Sequence, residues 1–143
     1  MEKSPKNYDV LIIGAGPAGA NAAISYKNLN PNLTVALVDK AIFPRDKSCG
    51  DAIGPGVISA LKRFNNEHIL DGEPQVVSTT LYGPDNIGIQ NYIPEVKNKE
   101  DSIVYVIPRL DLDNRILDLA KECGVDVYEG YSFVDFTSNL DKS

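Results

Sequence analysis

The chain has 143 residues, enough for one domain with a real core, and its 43% hydrophobic and 24% charged residues are the balance of a globular protein. A formal net charge of −6 without any basic cluster argues against a nucleic-acid partner. No apolar run approaches the ~18–20 residues of a membrane span, and the short polar lead-in leaves no room for a signal peptide ahead of the first strand. The two cysteines, Cys49 and Cys123, are 74 positions apart and form no C-x-x-C, the usage of reduced thiols in a cytoplasmic protein. Attachment to a membrane surface stays open.

In chain order, Met1 to Asn7 reads as a polar lead-in and Tyr8 to Ile13 as the first strand. Its apolar, β-branched run Val10 to Ile13 has the pattern of a strand buried on both faces. Gly14, Gly16 and Gly19 follow at G-x-G-x-x-G spacing, and a small-residue helix over about Pro17 to Leu29 starts at once. Gly14 permits the tight turn, Gly16 lets the backbone approach a pyrophosphate, and Gly19 lets the helix pack closely on the sheet. The helix N-terminus then offers open amides and the positive end of its dipole to phosphates, and Pro17 fits the first turn because its missing N–H costs nothing there. Ala18, Ala22, Tyr26 and Leu29 recur at helical spacing and are expected to face the sheet.

Leu33 to Val38 reads as a second buried strand that ends in Asp39, 25 positions after Gly14 and so slightly beyond the usual ~20. A carboxylate there accepts hydrogen bonds from a ribose diol and repels a 2′-phosphate. The βαβ unit at 8–40 therefore suits the adenosine half of FAD or NAD rather than NADP.

Ala41 to Gly56 is a long loop rich in Gly, Pro and charge, and loops of that length are often functional. Within it Cys49 follows Arg45 and Lys47 and precedes Gly50. Nearby cations favour a thiolate, although an ordinary loop cysteine fits the spacing equally well. Asp46 and Asp51 read as solvated loop carboxylates.

Val57 to Phe64 reads as a short helix and Asn65 to Pro74 as a polar turn region. His68 lies there on the surface as the one histidine of the chain, so no His-based metal site or triad can be assembled. Val76 to Tyr82 and Ile87 to Ile93 read as strands joined at Gly83-Pro84-Asp85-Asn86, Pro94 to Asp101 as a charged loop, and Ser102 to Ile107 as a further strand. A plain NAD domain lacks this excursion. Arg109 then stands between a strand and a helix, where a guanidinium can reach nucleotide oxygens or form a surface ion pair. The helix is capped by Asp111, buries Leu112, Ile116, Leu119, Ala120 and Cys123, and stops at Gly124. Val125 to Tyr128 reads as the next parallel strand, Tyr131 to Thr137 as a last strand, and Ser138 to Ser143 as a polar tail.

Three segments in this order, DVLIIGAGPAGANAA, VDKAIFPRDKSCGDAIGPG and VIPRLDLDNRILDLAKECGVDV, resemble the geranylgeranyl reductase-type flavoproteins. These belong to the FAD-dependent oxidoreductases with the fold of para-hydroxybenzoate hydroxylase. The likeness runs from Tyr8 to Phe136, and PRDKSCGD is its most specific part. It implies an α/β fold: a Rossmann-like parallel sheet in strand order 3-2-1 with an inserted antiparallel strand region. Residues 8–40 would be the βαβ unit, 41–107 the insertion, and 108–137 the return to the FAD-binding domain.

The resemblance also implies FAD as cofactor. Gly14, Gly16, Pro17, Ala18 and Gly19 would meet its pyrophosphate, and Asp39 and Lys40 its adenosine ribose. Cys49 and Gly50 would lie near the flavin ring or ribityl chain, Arg109 near the ribityl-phosphate side, and Phe133 would meet adenine through its backbone. In such enzymes reduced flavin delivers a hydride to a carbon–carbon double bond of a prenyl chain, an external donor such as NAD(P)H reduces the flavin, and a cysteine in this loop handles substrate. The relatives continue further, with a later Gly-Asp motif on the flavin. The chain thus reads as the N-terminal part of an FAD enzyme: a split or truncated product, or half of a two-chain enzyme whose C-terminal half a second polypeptide would supply. A flavin monooxygenase or halogenase, and a non-catalytic FAD-binding subunit, are the competing readings.

Overall fold

The computed structural model describes residues 6–92 and 104–137. The start of the lead-in, Ile93, the loop Pro94 to Asp101, the first two residues of the strand expected at Ser102 to Ile107, and the tail Ser138 to Ser143 lie outside the described residues. The elements in order are β1 (Val10–Ile13), α1 (Pro17–Leu29), β2 (Val35–Asp39), β3 (Ala52–Ile53), α2 (Pro55–Lys62), a 3-10 turn (Glu67–Leu70), β4 (Ser78–Tyr82), β5 (Gly88–Tyr92), β6 (Tyr105–Val106), α3 (Arg109–Glu122) and β7 (Asp126–Glu129). No helix among the described residues is long and apolar enough to cross a membrane. The chain divides into two compact units, residues 1–45 with 113–143, and residues 46–112.

The first unit is built on a parallel sheet in the order β1-β2-β7, so β7 is outermost on one side and β1 on the other. Ile12 pairs with Leu37 and Leu37 with Val127, which places these three on one face. Helix α1 covers that face. A Cβ on Gly19 would lie 3.4 Å from Ile12 Cγ2, and Ala20, Ala23 and Ile24 are fully buried. This corrects the expected packing stripe, since Ala18 is exposed, Ala22 is half-buried, and Tyr26 and Leu29 are exposed. The close approach at Gly19 sets the helix rotation, and Ala20, Ala23 and Ile24 fall in the broad stripe that this rotation turns inward. Leu37, Ile24, Ile116 and Leu117 are the large buried side chains here, each contributing about 1.5–3 kcal/mol by burial.

The expectation of a first strand buried on both faces is also corrected. Leu11 and Ile13 are 57% and 53% exposed, because β1 pairs only with β2 among the described residues and its second face has no covering element there. At the end of α1, Lys27 Nζ donates to the carbonyls of Pro31 and Leu33, which fixes the turn into β2. Beside β1 and β7 Tyr8 bonds Asp126 and Tyr128, and Tyr128 meets Tyr8 and Tyr131 edge to face.

Helix α3 starts at Arg109, so Asp111 lies within its first turn rather than at the cap. Its carboxylate there still favours the positive helix end. Leu112, Ile116, Leu117, Leu119 and Ala120 are buried, whereas Cys123 lies just past the helix and is only half-buried. Gly124 and Gly130 turn the chain with φ near +80° on either side of β7. The segment expected as a strand at Tyr131 to Thr137 is not one: after the amide of Tyr131 bonds Asp39 O it makes no ladder with any described residue, and Val134 and Phe136 are exposed. A strand needs a ladder partner, and none lies beside it among the described residues.

The second unit contains two short antiparallel pairs. Ala52 and Ile53 pair with Val106 and Tyr105, a strand that the loop composition of 41–56 conceals. Ile69 and Leu70 are buried in the 3-10 turn within the stretch read as polar, and His68 between Glu67 and Ile69 is exposed. The β4–β5 hairpin forms as expected around Gly83 to Asn86, with both faces exposed, Leu81 and Ile89 on one and Tyr82 and Tyr92 on the other.

Candidate nucleotide-binding site

The site of the first unit is built where β1 ends. Gly14 takes φ +100°, a conformation that favours glycine, and its amide donates to Val38 O at 2.7 Å. The turn is tied to the next strand by Asp39, whose Oδ2 accepts from the Ala15 amide at 2.7 Å and whose Oδ1 accepts from the Ala41 amide at 2.8 Å. Each carboxylate oxygen keeps a further lone pair for a ligand hydroxyl. Gly19 has no room for a side chain: a Cβ would lie 1.8 Å from Gly14 O. Glycine at 19 is thus what lets the helix start against the turn.

The N-terminus of α1 is open. Gly16 occupies the cap position with no side chain to accept a hydrogen bond, Pro17 is the first helical residue, and no acidic residue lies in the first turn. The first-turn amides and the positive helix end therefore face outward without a capping oxygen, which suits an anion.

Beside this turn a cavity of about 370 Å³ is lined by Ile13, Gly14, Val38, Asp39, Lys40, Tyr131, Ser132 and Phe133. It brings together Phe133, Asp39 and Lys40, which the family resemblance implies at an adenosine. Together the open helix end and this cavity fit the ADP half of a dinucleotide. Pro17 and Ala18 are the first two residues of α1 and are not among those that line the cavity.

Arg45 belongs to the same unit and was not singled out as a nucleotide ligand. Its Nη1 pairs with the fully buried carboxylate of Asp113 at 3.2 Å, its guanidinium stands 4.9 Å over the Phe43 ring, and Nη2 is 3.3 Å from where a Cβ on Gly16 would be. Glu129 fixes the approach by accepting from the Phe43 amide at 2.9 Å. The available signal was Asp113 itself, a lone acid three and four residues before Ile116 and Leu117 on the buried face of α3, where a charge needs a partner.

Cys49, Gly50 and Arg109 lie in the second unit. Cys49 is exposed, and hydrogen bonds from the Asp51 amide, from Arg109 and from the Gly50 amide hold its thiol below its ordinary value, with the Arg109 charge adding to the effect. The cation that favours the thiolate is therefore Arg109, 60 positions away in sequence, and neither Arg45 nor Lys47. Cys123 is shifted the opposite way, by burial and by the nearby Glu122 charge. Alkylation of the chain by iodoacetamide should accordingly occur first at Cys49, with a pH midpoint below 9.0, and Arg109→Gln should move that midpoint upward. Peptide mapping of the alkylated protein across pH checks this, and an unmoved midpoint refutes the role given to Arg109.

No family model matches the chain. It is 33% identical over 129 residues to a menaquinone reductase of Mycolicibacterium smegmatis, covering 90% of this chain and 30% of that protein. It is 29% identical over 124 residues to a digeranylgeranylglycerophospholipid reductase of Picrophilus torridus, covering 85% of this chain and 30% of that protein. Among solved structures the flavin-dependent halogenase CmlS superposes with a TM-score of 0.71 at 26% identity, over 89% of this chain and 23% of that one. The chain thus spans less than a third of the length of these relatives. Over that span the fold is that of FAD-binding flavoproteins, and the sequence is similar to reductases that include the geranylgeranyl type.

Proposed function

We propose that the first unit binds FAD through its ADP half and that the protein to which this chain contributes is a geranylgeranyl reductase-type oxidoreductase. One observation carries the reading: an uncapped helix N-terminus beside a cavity that presents Asp39, Lys40 and Phe133. Bound flavin supplies hydride chemistry. The residues of this chain do the rest of what is proposed for it. Gly14, Gly16 and Gly19 admit the pyrophosphate, Asp39 receives the ribose hydroxyls and disfavours a 2′-phosphate, and the Phe133 backbone meets adenine. Cys49 acts on the substrate side, supported by its depressed thiol and by the PRDKSCGD stretch. The substrate in this reading is a prenyl chain whose double bond receives the hydride, and NAD(P)H or another external donor reduces the flavin. Residues beyond those homologous to this chain, on the same or a second polypeptide, cover the substrate. The likeness to CmlS favours a flavin-dependent halogenase or monooxygenase as the second reading.

The test begins with an absorbance spectrum of the purified chain after addition of FAD and gel filtration. Stoichiometric retained flavin supports the cofactor reading, and protein that stays folded yet colourless removes it. Assays with the remaining polypeptide then separate the two chemistries. Prenyl double-bond reduction that falls about 10²-fold in Cys49→Ser, with FAD retained, supports the reductase. Halide incorporation or hydroxylation without reduction supports the second reading.

A further inference from the structure

Resting on the nucleotide reading above, we propose that Arg45 takes the charge of the bound nucleotide's pyrophosphate and that Asp113 is the positioning residue that holds it there. An arginine near a glycine-rich turn would ordinarily swing in solvent, and ordering it on binding would cost side-chain entropy. Arg45 is held beforehand. Its Nη1 is paired to Asp113, its plane lies over Phe43, and the Phe43 amide is tied to Glu129. One edge of the guanidinium is thereby committed to the protein, while Nη2 stands over Gly16, the residue at the open helix end. The planar fork of an arginine can serve a carboxylate on one side and a phosphate on the other, which a lysine cannot do.

The burial of Asp113 gives the arrangement its direction. Its side chain has no exposure, whereas that of Arg45 retains 20%. A buried ion pair adds little net stability compared with an apolar pair of similar shape, so its presence calls for a use other than stability. Here the use is orientation. The carboxylate lies behind the guanidinium and the phosphate-binding turn in front of it. The absence of a side chain at Gly16 leaves the space through which Nη2 and a phosphate oxygen meet.

The experiment is calorimetric titration of the full chain with ADP and, separately, with adenosine, which shares the cavity but carries no phosphate. Arg45→Ala would take the arginine from the buried Asp113 carboxylate and so endanger the fold. The informative variants are Asp113→Asn, Arg45→Lys and the double Arg45→Gln/Asp113→Asn, in which an amide pair retains a hydrogen bond without charge. The expected result is that the double variant loses about 10- to 100-fold in ADP affinity with adenosine affinity within about twofold. Asp113→Asn should lose part of the same preference, and Arg45→Lys should restore only some of it. The salt dependence of ADP binding should flatten in the double variant.

If the wild-type chain binds both ligands and the ratio of their affinities is the same in every variant, the proposal is overturned and the cofactor reading stands. A parallel loss for ADP and adenosine assigns the pair a structural role and also overturns it. Should the folded wild-type chain bind neither ligand, both readings fall together.

Discussion

Gly19→Ala is expected to be the most damaging single-methyl substitution in the chain, lowering stability by about 3 kcal/mol or more and abolishing nucleotide binding. The added Cβ would lie 1.8 Å from the carbonyl oxygen of Gly14 and 3.0 Å from its carbon, and both are backbone atoms that cannot rotate away. Relief requires α1 to lift from β1, which opens the contacts of Ala20, Ala23 and Ile24 and moves the helix end away from the turn. The neighbouring glycines set the comparison. At Gly14 a Cβ meets nothing within 4 Å but the φ of +100° is strained, a cost of about 1–2 kcal/mol. At Gly16 the Cβ meets only the Arg45 guanidinium, a side-chain group at 3.3 Å that needs to give by a few tenths of an ångström. Urea unfolding of the three alanine variants should rank Gly19 as the most sensitive. A larger loss at Gly14 would mean that backbone strain, not helix-to-strand contact, governs this turn.

Asp39→Asn is expected to cost nearly as much as Asp39→Ala, about 1–3 kcal/mol of stability, and to weaken adenosine-containing ligands in parallel. Both carboxylate oxygens accept from backbone amides, one from Ala15 and one from Ala41. An asparagine has one acceptor oxygen and one NH₂, so either flip sets a donor against a donor. An ordinary ribose-binding carboxylate would tolerate the amide far better in the unliganded protein. Thermal unfolding without ligand distinguishes the cases, and an Asn variant that melts with the wild type would remove Asp39 from its structural role.

What was legible in the sequence follows from how local each feature is. The turn at Gly14, the helix from Pro17 to Leu29, the carboxylate closing β2 and the hairpin around Gly83 all rest on short-range chemistry, and each stands where the residues place it. Features that depend on a distant partner were not legible. The packing face of α1 is set by Gly19 meeting the Gly14 carbonyl rather than by the apolar stripe through Tyr26 and Leu29. The two-residue β3 exists because β6 lies beside it, and the residues from Tyr131 to Thr137, despite their β-forming composition, remain without a ladder. At the site the same division holds. Asp39 and the glycines could be named in advance, whereas Arg45 joins them through Asp113, 68 positions later. In the second unit the cation that favours the Cys49 thiolate is Arg109 rather than the charges nearer in sequence, again a distant partner.

The bare cap of α1 has a thermodynamic consequence. A serine or aspartate at position 16 would stabilise the helix by roughly a few tenths of a kcal/mol whether or not a ligand were present. With glycine there, that stabilisation is left for an anion to supply, so the bound group acts as the missing first residue of the helix. Occupancy and folding are then linked. A ligand at a hundred times its dissociation constant adds about 2.7 kcal/mol to the stability of the chain, and the melting temperature becomes a reading of how full the site is.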